Sequence, residues 1–474
     1  MRAVWKTASF RAAASWTAVA ERSGDTAFTS RGAVLPAAEV RSAGRQSGVA
    51  LRFPPQSKTP PAMSAGAVNS FVLLLILLLL AAPTGRAQET LLQRLDDALS
   101  YQSPKGFFRS DLSGLVDLEA YFVDERPPGL IFGNSDFFNP RLSLFLDTHL
   151  GEQFYSLVQF RADRGFDPRL KPDGDARFDE YLLRWTPWAD GRLNVQVGKF
   201  ATVFGKWVQR HDSWHNPFIT APLPYENVTV MTDQVAPGGP GGFLGRRSVA
   251  DTKLTWLPVV WGPAYNSGAS VFGQVGQFDY AFEFKNTSIS SRPTAWDAQD
   301  TGWENPTFSA RLAHTPNAAW NYGVSASHGS YLLPAAEATL PAGYGRSSYR
   351  QTTIGTDFSW SHHGWQVWGE AMVARFQVPR VGNADTFTYF IETKYKFTPN
   401  LSAAVRWNQQ LFDTVPDGAG GDQHWDRNIF RVDTALAYRF SRHLQGKLQY
   451  SLLHENGPIQ QGEQLFAAQL TIKF

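Results

Sequence analysis

The stretch that decides the fold is the last one, Gln464-Leu-Phe-Ala-Ala-Gln-Leu-Thr-Ile-Lys-Phe474. Phe466, Ala468, Leu470, Ile472 and Phe474 alternate with Leu465, Ala467, Gln469, Thr471 and Lys473. A period of two places the first set on one face of a strand, apolar throughout, and the second on a face that turns polar towards the chain end. The same pattern suits either the edge of a soluble sandwich or a strand with lipid on one side and water on the other, so the rest of the chain has to choose.

Working back from the end, alternation of this kind predicts strands near 443–455, 427–440, 400–412, 386–398, 364–377 and 351–361. Others follow near 319–329, 304–314, 277–287, 266–275, 191–201, 176–187, 153–164, 139–150 and 114–124. Together they make about 16 strands, each long enough to cross a bilayer at a tilt. Short turns such as Gly151-Glu152, Thr315-Pro-Asn317, Ser361-His-His-Gly364 and Ser441-Arg-His443 alternate with longer segments at 125–138, 288–303, 330–350 and 413–426. A soluble sandwich has no reason to segregate loop lengths, whereas an up-and-down transmembrane barrel puts short turns in the periplasm and long loops outside. The expected fold is all-β, a transmembrane antiparallel barrel spanning 113–474.

Composition agrees. Hydrophobic residues make up 43% of the 474 residues while mean hydropathy is −0.28, so apolar residues are interleaved with polar ones. Aromatics reach 14%, enough for two interfacial girdles. There is no cysteine, which excludes disulfides, thiolate metal sites and cysteine nucleophiles.

The one long apolar run is Phe71–Ala82, followed by Gly85 and Ala87 as small residues of a cleavage site. It is too short for a membrane helix and fits a signal peptide spanning 63–87. Residues 1–62 read as an extension upstream of Met63. Residues 88–112 read as a short periplasmic segment, with Leu91, Leu92, Leu95, Ala98 and Leu99 at helical spacing. The first 87 residues hold 10 of the 44 basic and 3 of the 42 acidic residues, so the remainder holds 34 and 39, a formal charge of −5. No nucleic-acid partner is implied.

Faces can be assigned strand by strand. Leu436, Leu448 and Leu470 belong to the lipid face. Opposite them, the expected lumen-facing residues are Arg161, Arg184, Glu392, Arg406, Arg431, Asp433, Arg439 and Lys447, joined by Asp163, Glu180 and Glu370. Gln449 is expected to face water. The longest irregular stretch, about 201–247, carries Lys206, Trp207, Arg210, Asp212 and Trp214 and is too apolar to extend into solvent. It reads either as a loop folded into the pore or as an extracellular loop packed on the rim or on a neighbouring subunit.

His211 and His215 flank Asp212, but Asn216-Pro217 interrupts a helix and no third ligand is near, so loop packing is the expected role and no metal site is assigned. Pro237-Gly-Gly-Pro-Gly-Gly242 lacks the Lys-Ser/Thr that a phosphate loop needs. Without Gly-x-Ser-x-Gly, and with His328 and His454 as candidates by residue type alone, no enzyme is expected and no cofactor.

With the strand pattern in view, Gln196-Val-Gly-Lys-Phe200, Val203-Phe-Gly205 and Asn216-Pro-Phe218, together with the terminal aromatic, resemble the phosphate-selective porin O and P family of Gram-negative outer membranes. The resemblance implies a 16-stranded, often trimeric barrel, with a loop folded into the pore. It implies partners in outer-membrane lipid, lipopolysaccharide and the barrel-assembly machinery, for which Phe474 is an assembly signal. In the phosphate-selective members the lumen bears an arginine ladder, whereas here both signs are interleaved. The function expected is a water-filled channel for passive diffusion of small hydrophilic solutes, with phosphate, anion or sugar selectivity, a barrel enzyme or an adhesin as alternatives.

Overall fold

A computed structural model describes residues 92–95, 97–123, 136–163, 174–248, 255–456 and 464–474. The upstream extension 1–62 and the signal peptide 63–87 lie outside them. Residues 92–95 and 97–98 are helical, as the leucine spacing predicts. The chain then enters a three-residue strand, β1 (Ser100–Gln102), which pairs with residues 109–111 of the next one.

Seventeen strands join in one sheet, and apart from β1 they form a closed antiparallel ring of sixteen. In order these are β2 (Phe108–Val123), β3 (Phe137–Leu150), β4 (Phe154–Asp163), β5 (Asp175–Trp185), β6 (Asn194–Phe200), β7 (Asn266–Val275), β8 (Phe278–Lys285) and β9 (Thr307–Asn317). The second half comprises β10 (Trp320–Ser330), β11 (Arg350–His362), β12 (Trp365–Val378), β13 (Gly382–Lys396) and β14 (Leu401–Phe412). A small hairpin, β15 (Thr414–Pro416) with β16 (Asp422–His424), stands apart, and β17 (Ile429–Arg439), β18 (Leu444–Glu455) and β19 (Gln464–Lys473) complete the ring. Each barrel strand overlaps one predicted from alternation. The first begins at Phe108 and not near 113, so the end of the stretch read as a separate N-terminal segment already belongs to the wall.

Closure is by β19 on β2, in register from Leu465↔Val123 to Lys473↔Leu115. Beyond the register, the Gly114 N–H donates to the Phe474 carbonyl at 2.8 Å and the Phe474 N–H donates back at 3.1 Å. A Cβ at Gly114 would lie 2.5 Å from the Phe474 ring. A side chain there would displace the Phe474 ring.

The outward face is apolar along every barrel strand, with exposed aromatics towards each end. Trp185, Trp320, Tyr322, Trp365 and Tyr438 lie towards the short-turn end, and Phe138, Phe178, Phe308 and Phe387 towards the other. Loop lengths alternate with one departure: β12 and β13 are joined on the long-loop side by residues 379–381 alone. Arg380 makes that turn possible by adopting φ 60°, and its guanidinium donates to the Pro237 and Thr339 carbonyls at 3.0 Å each.

Candidate pore and its lining

Between β6 and β7 the chain does not loop outward. It turns into the barrel at Ala201 and returns to the wall at Asn266. The turn is set by Gly205 at φ 73°, where a Cβ would lie 2.2 Å from the Tyr225 hydroxyl. Glu370 on β12 then clasps the root of the segment. Its carboxylate accepts the backbone N–H groups of Lys206 at 2.8 Å and Trp207 at 2.5 Å and the Tyr225 hydroxyl at 2.5 Å. Backbone donors without a helix or sheet partner must find an acceptor, and a wall carboxylate supplies one.

The same logic continues down the wall, where inward polar side chains of β14, β17 and β18 stand in for a neighbouring strand. Asn408 accepts the Leu223 N–H at 3.2 Å. Gln449 accepts the N–H groups of Ile219 at 2.6 Å and Thr220 at 3.1 Å. Lys447 donates to the carbonyls of Ser213 and, at 2.7 Å, Asn216. Arg406 donates to the Thr220 carbonyl at 3.2 Å, and Arg431 to that of Ala221 at 2.5 Å. The expectation that Gln449 meets water is therefore corrected: it points inward, but protein covers it.

Apolar packing seats the rest. Trp207, Tyr225, Trp256, Leu257, Trp261 and Tyr265 are buried with the inward residues Met372, Phe376, Phe390 and Phe412 of β12–β14. Each fully buried side chain of this size contributes about 1.5–3 kcal/mol.

Every sequence-predicted residue of the segment is inside the ring. Lys206 donates its ammonium to Asn321, and burial pushes that ammonium down to about 8. Trp207 stacks on Tyr225 with centroids 4.6 Å apart. Arg210 pairs with Glu392 and lies 4.4 Å over the Trp368 ring. Asp212 accepts the backbone N–H groups of Trp214 and His215 at 2.8 and 3.0 Å and bonds the His215 ring at 2.7 Å. Trp214 lies under Arg439 at 5.0 Å and Lys473 at 5.8 Å. His211 spends both ring nitrogens on protein, one on the Val208 carbonyl and the other on the Tyr265 hydroxyl, each at 2.6 Å. Burial lowers its pKa from the usual range.

The lumen-facing assignments are placed inward by register, and most are ion-paired. Arg406 bridges Asp433 at 2.7 Å and Glu392 at 3.0 Å. Arg431 bridges Asp433 at 3.0 Å and Glu226 of the inward segment. Arg161 pairs with Asp163 at 2.5 Å. Arg184 binds Gln196 and lies about 5 Å over the rings of Tyr155 and Phe272.

Sequence reasoning omits Asp117, Glu119 and Arg141, which pair at 2.9 and 2.7 Å on β2 and β3, and the inward lysines Lys394 and Lys396. Alternation carried the signal in both places. His328 and His454 sit on the outer face, His328 bonded to Thr352 and His454 beside Phe430.

Against the β2–β4 wall the segment leaves a cavity of about 160 Å³. Asp117, Arg141, Gln159 and Arg161 line it from the wall, and His211, Asp212, Trp214 and His215 from the segment. Trp214 and Phe145 give it aromatic surface among mixed charges.

No family model matches the chain, and no curated protein matches it by sequence. Solved structures do match. The anion-selective porin from Comamonas acidovorans is 12% identical with a TM-score of 0.50, covering 77% of this chain and 100% of that one. The outer membrane channel DcaP of Acinetobacter baumannii is 10% identical with a TM-score of 0.51, covering 79% and 99%. At these identities the likeness is one of fold: a closed sixteen-stranded antiparallel barrel.

Proposed function

We propose that the protein is an outer-membrane porin, a water-filled channel through which small hydrophilic solutes diffuse passively. The observation that carries this reading is the pairing of a closed ring, apolar outside and charged inside, with an inward segment that fills one side and leaves a cavity bordered by charged side chains along β2–β4. A soluble protein of this size would not expose aromatic and aliphatic side chains around its whole circumference, and a bilayer accepts such a band. The solved likenesses are porins and outer-membrane channels, in keeping with this. Residues 63–87 are the signal for export, and Phe474 is the residue the assembly machinery reads. The assembly is a homotrimer in outer-membrane lipid and lipopolysaccharide.

General diffusion is favoured over phosphate selectivity because the arginines along the upper wall are matched by carboxylates. Opposite charges within a Debye length of about 8 Å largely cancel for an ion in the passage. The test is swelling of proteoliposomes in sugars of increasing size. Swelling by small sugars that falls off with larger ones supports a narrowed pore. Vesicles that swell in none of them would exclude the channel.

A further inference from the structure

From the middle of the wall to the long-loop end, cations and carboxylates are matched: Arg141 with Asp117 and Glu119, Arg161 and Arg177 with Asp163 and Asp179, Arg311 with Asp357, Arg427 with Glu455. The short-turn end differs on the β13–β18 side. Lys394 and Lys396 face inward at adjacent positions of one strand face, opposite Ala404 and Ser402, which in turn face Ala435 and Ala437. Beyond these small residues come Lys447 opposite Ala437, and Arg439 opposite Gln445.

Among the described residues, none of these four cations has a carboxylate at ion-pair distance. Lys447 spends its ammonium on backbone carbonyls and feels the more distant carboxylates of Asp117, Asp212 and Glu119, and Arg439 meets the Trp214 ring. Among the described residues Lys394 has no hydrogen-bond partner, and the four charges acting on it most strongly, Lys396, Lys447, Arg439 and Arg210, are all positive. The carboxylates at that end include Asp111, Asp147, Asp212 and Asp279, which engage Arg109, Tyr155, His215 and Thr315.

Resting on the channel reading, we propose that this axial asymmetry makes the pore a rectifier. In the basic stretch most of the current is carried by anions, while in the matched stretch both ions move. A voltage that drives anions out of the basic stretch towards the long loops brings cations to the junction, where the basic stretch refuses them, and salt accumulates there. The reverse voltage depletes the junction. Conductance is therefore higher in the first polarity. The effect requires fixed charge to act across the passage, so it depends on a Debye length of about 10 Å at 0.1 M salt and collapses at about 3 Å in 1 M.

The experiment is single-channel recording of the full mature chain in symmetric KCl, where each molecule reports its own orientation. Currents at equal and opposite voltages are expected to differ about twofold at 0.1 M and to become about equal at 1 M. The Lys394→Gln/Lys396→Gln variant, whose folding is checked by heat-modifiable migration, is expected to conduct about equally in both polarities at 0.1 M. Equal currents in the natural chain at 0.1 M, or undiminished rectification in the double variant, would overturn the proposal while leaving the channel standing. Absence of any conductance would remove the channel and this property together.

Discussion

The two sides of the lumen obey different rules although both are built from alternating strands. Along β12–β14 the inward residues Met372, Phe376, Phe390 and Phe412 of the long-loop half form an apolar surface that the inward segment covers. Along β2–β4 the inward positions include Asp117, Arg141, Gln159 and Arg161, and beside them a cavity remains. An apolar residue facing the inside of a membrane barrel marks contact with protein, because water there would leave its burial energy unclaimed. The charges that border the cavity mark the part of the wall that the segment leaves uncovered.

If the first side is a packed core, it should respond to truncation as a core does. Trp261→Ala, at a residue 2% exposed, is expected to cost about 3–5 kcal/mol of segment seating. Thermal unfolding in detergent and single-channel conductance read this as a lower transition and a larger, noisier pore. Leu157→Ala on the β4 wall, outside that cluster, is expected to cost less. Equal losses at the two sites would erase the distinction between them.

The outer face offers the next largest effect. Leu436→Arg places a charge in lipid and is expected to cost about 2–4 kcal/mol in a refolding titration. A neutral result would mean that this face does not meet the membrane core.

Smaller still is Gln449→Ala, which strands the N–H groups of Ile219 and Thr220. A buried unsatisfied donor costs about 1–3 kcal/mol, and faster proteolysis at 213–221 with the barrel intact is the expected readout. Unchanged protection would show that the wall does not hold the segment there.

The last effect follows pH. His211 is buried and bonded as the neutral imidazole, so its folded pKa lies below the unfolded value. Seating is then fully supported above the unfolded pKa of about 6.5 and weakens as pH falls below it, because the displaced segment binds a proton that the seated one does not. Conductance noise is expected to grow between pH 7 and 5 in the natural chain and to stay flat in His211→Asn. An identical profile in both would place the sensitivity elsewhere.

The ring was legible from the chain because membrane strands must alternate, and the stretch ending in Phe474 could be read as its closing strand, though not the pairing of Phe474 with Gly114. Facing was legible too, as Arg406, Asp433 and Lys447 show. What lies against those faces was not. The partner of Gln449 comes from 230 residues earlier, and nothing in the alternation of β18 distinguishes an amide that meets water from one that meets a backbone N–H. The segment itself gave only its excess of tryptophan and the improbability of so much apolar surface in solvent. Lys394-Tyr-Lys396 shows the same limit, since its period of two places both lysines inward but not the missing counter-charges.

The reach of those contacts has a temporal consequence. The seat for residues 213–221 is built from β14, β17 and β18, which follow the segment in the chain, and the ring shuts only when the last strand meets the first. Until β18 is in place that seat is incomplete. A chain that stopped short of β18 would lack Lys447 and Gln449, and residues 213–220 would have lost the partners that hold them against the wall.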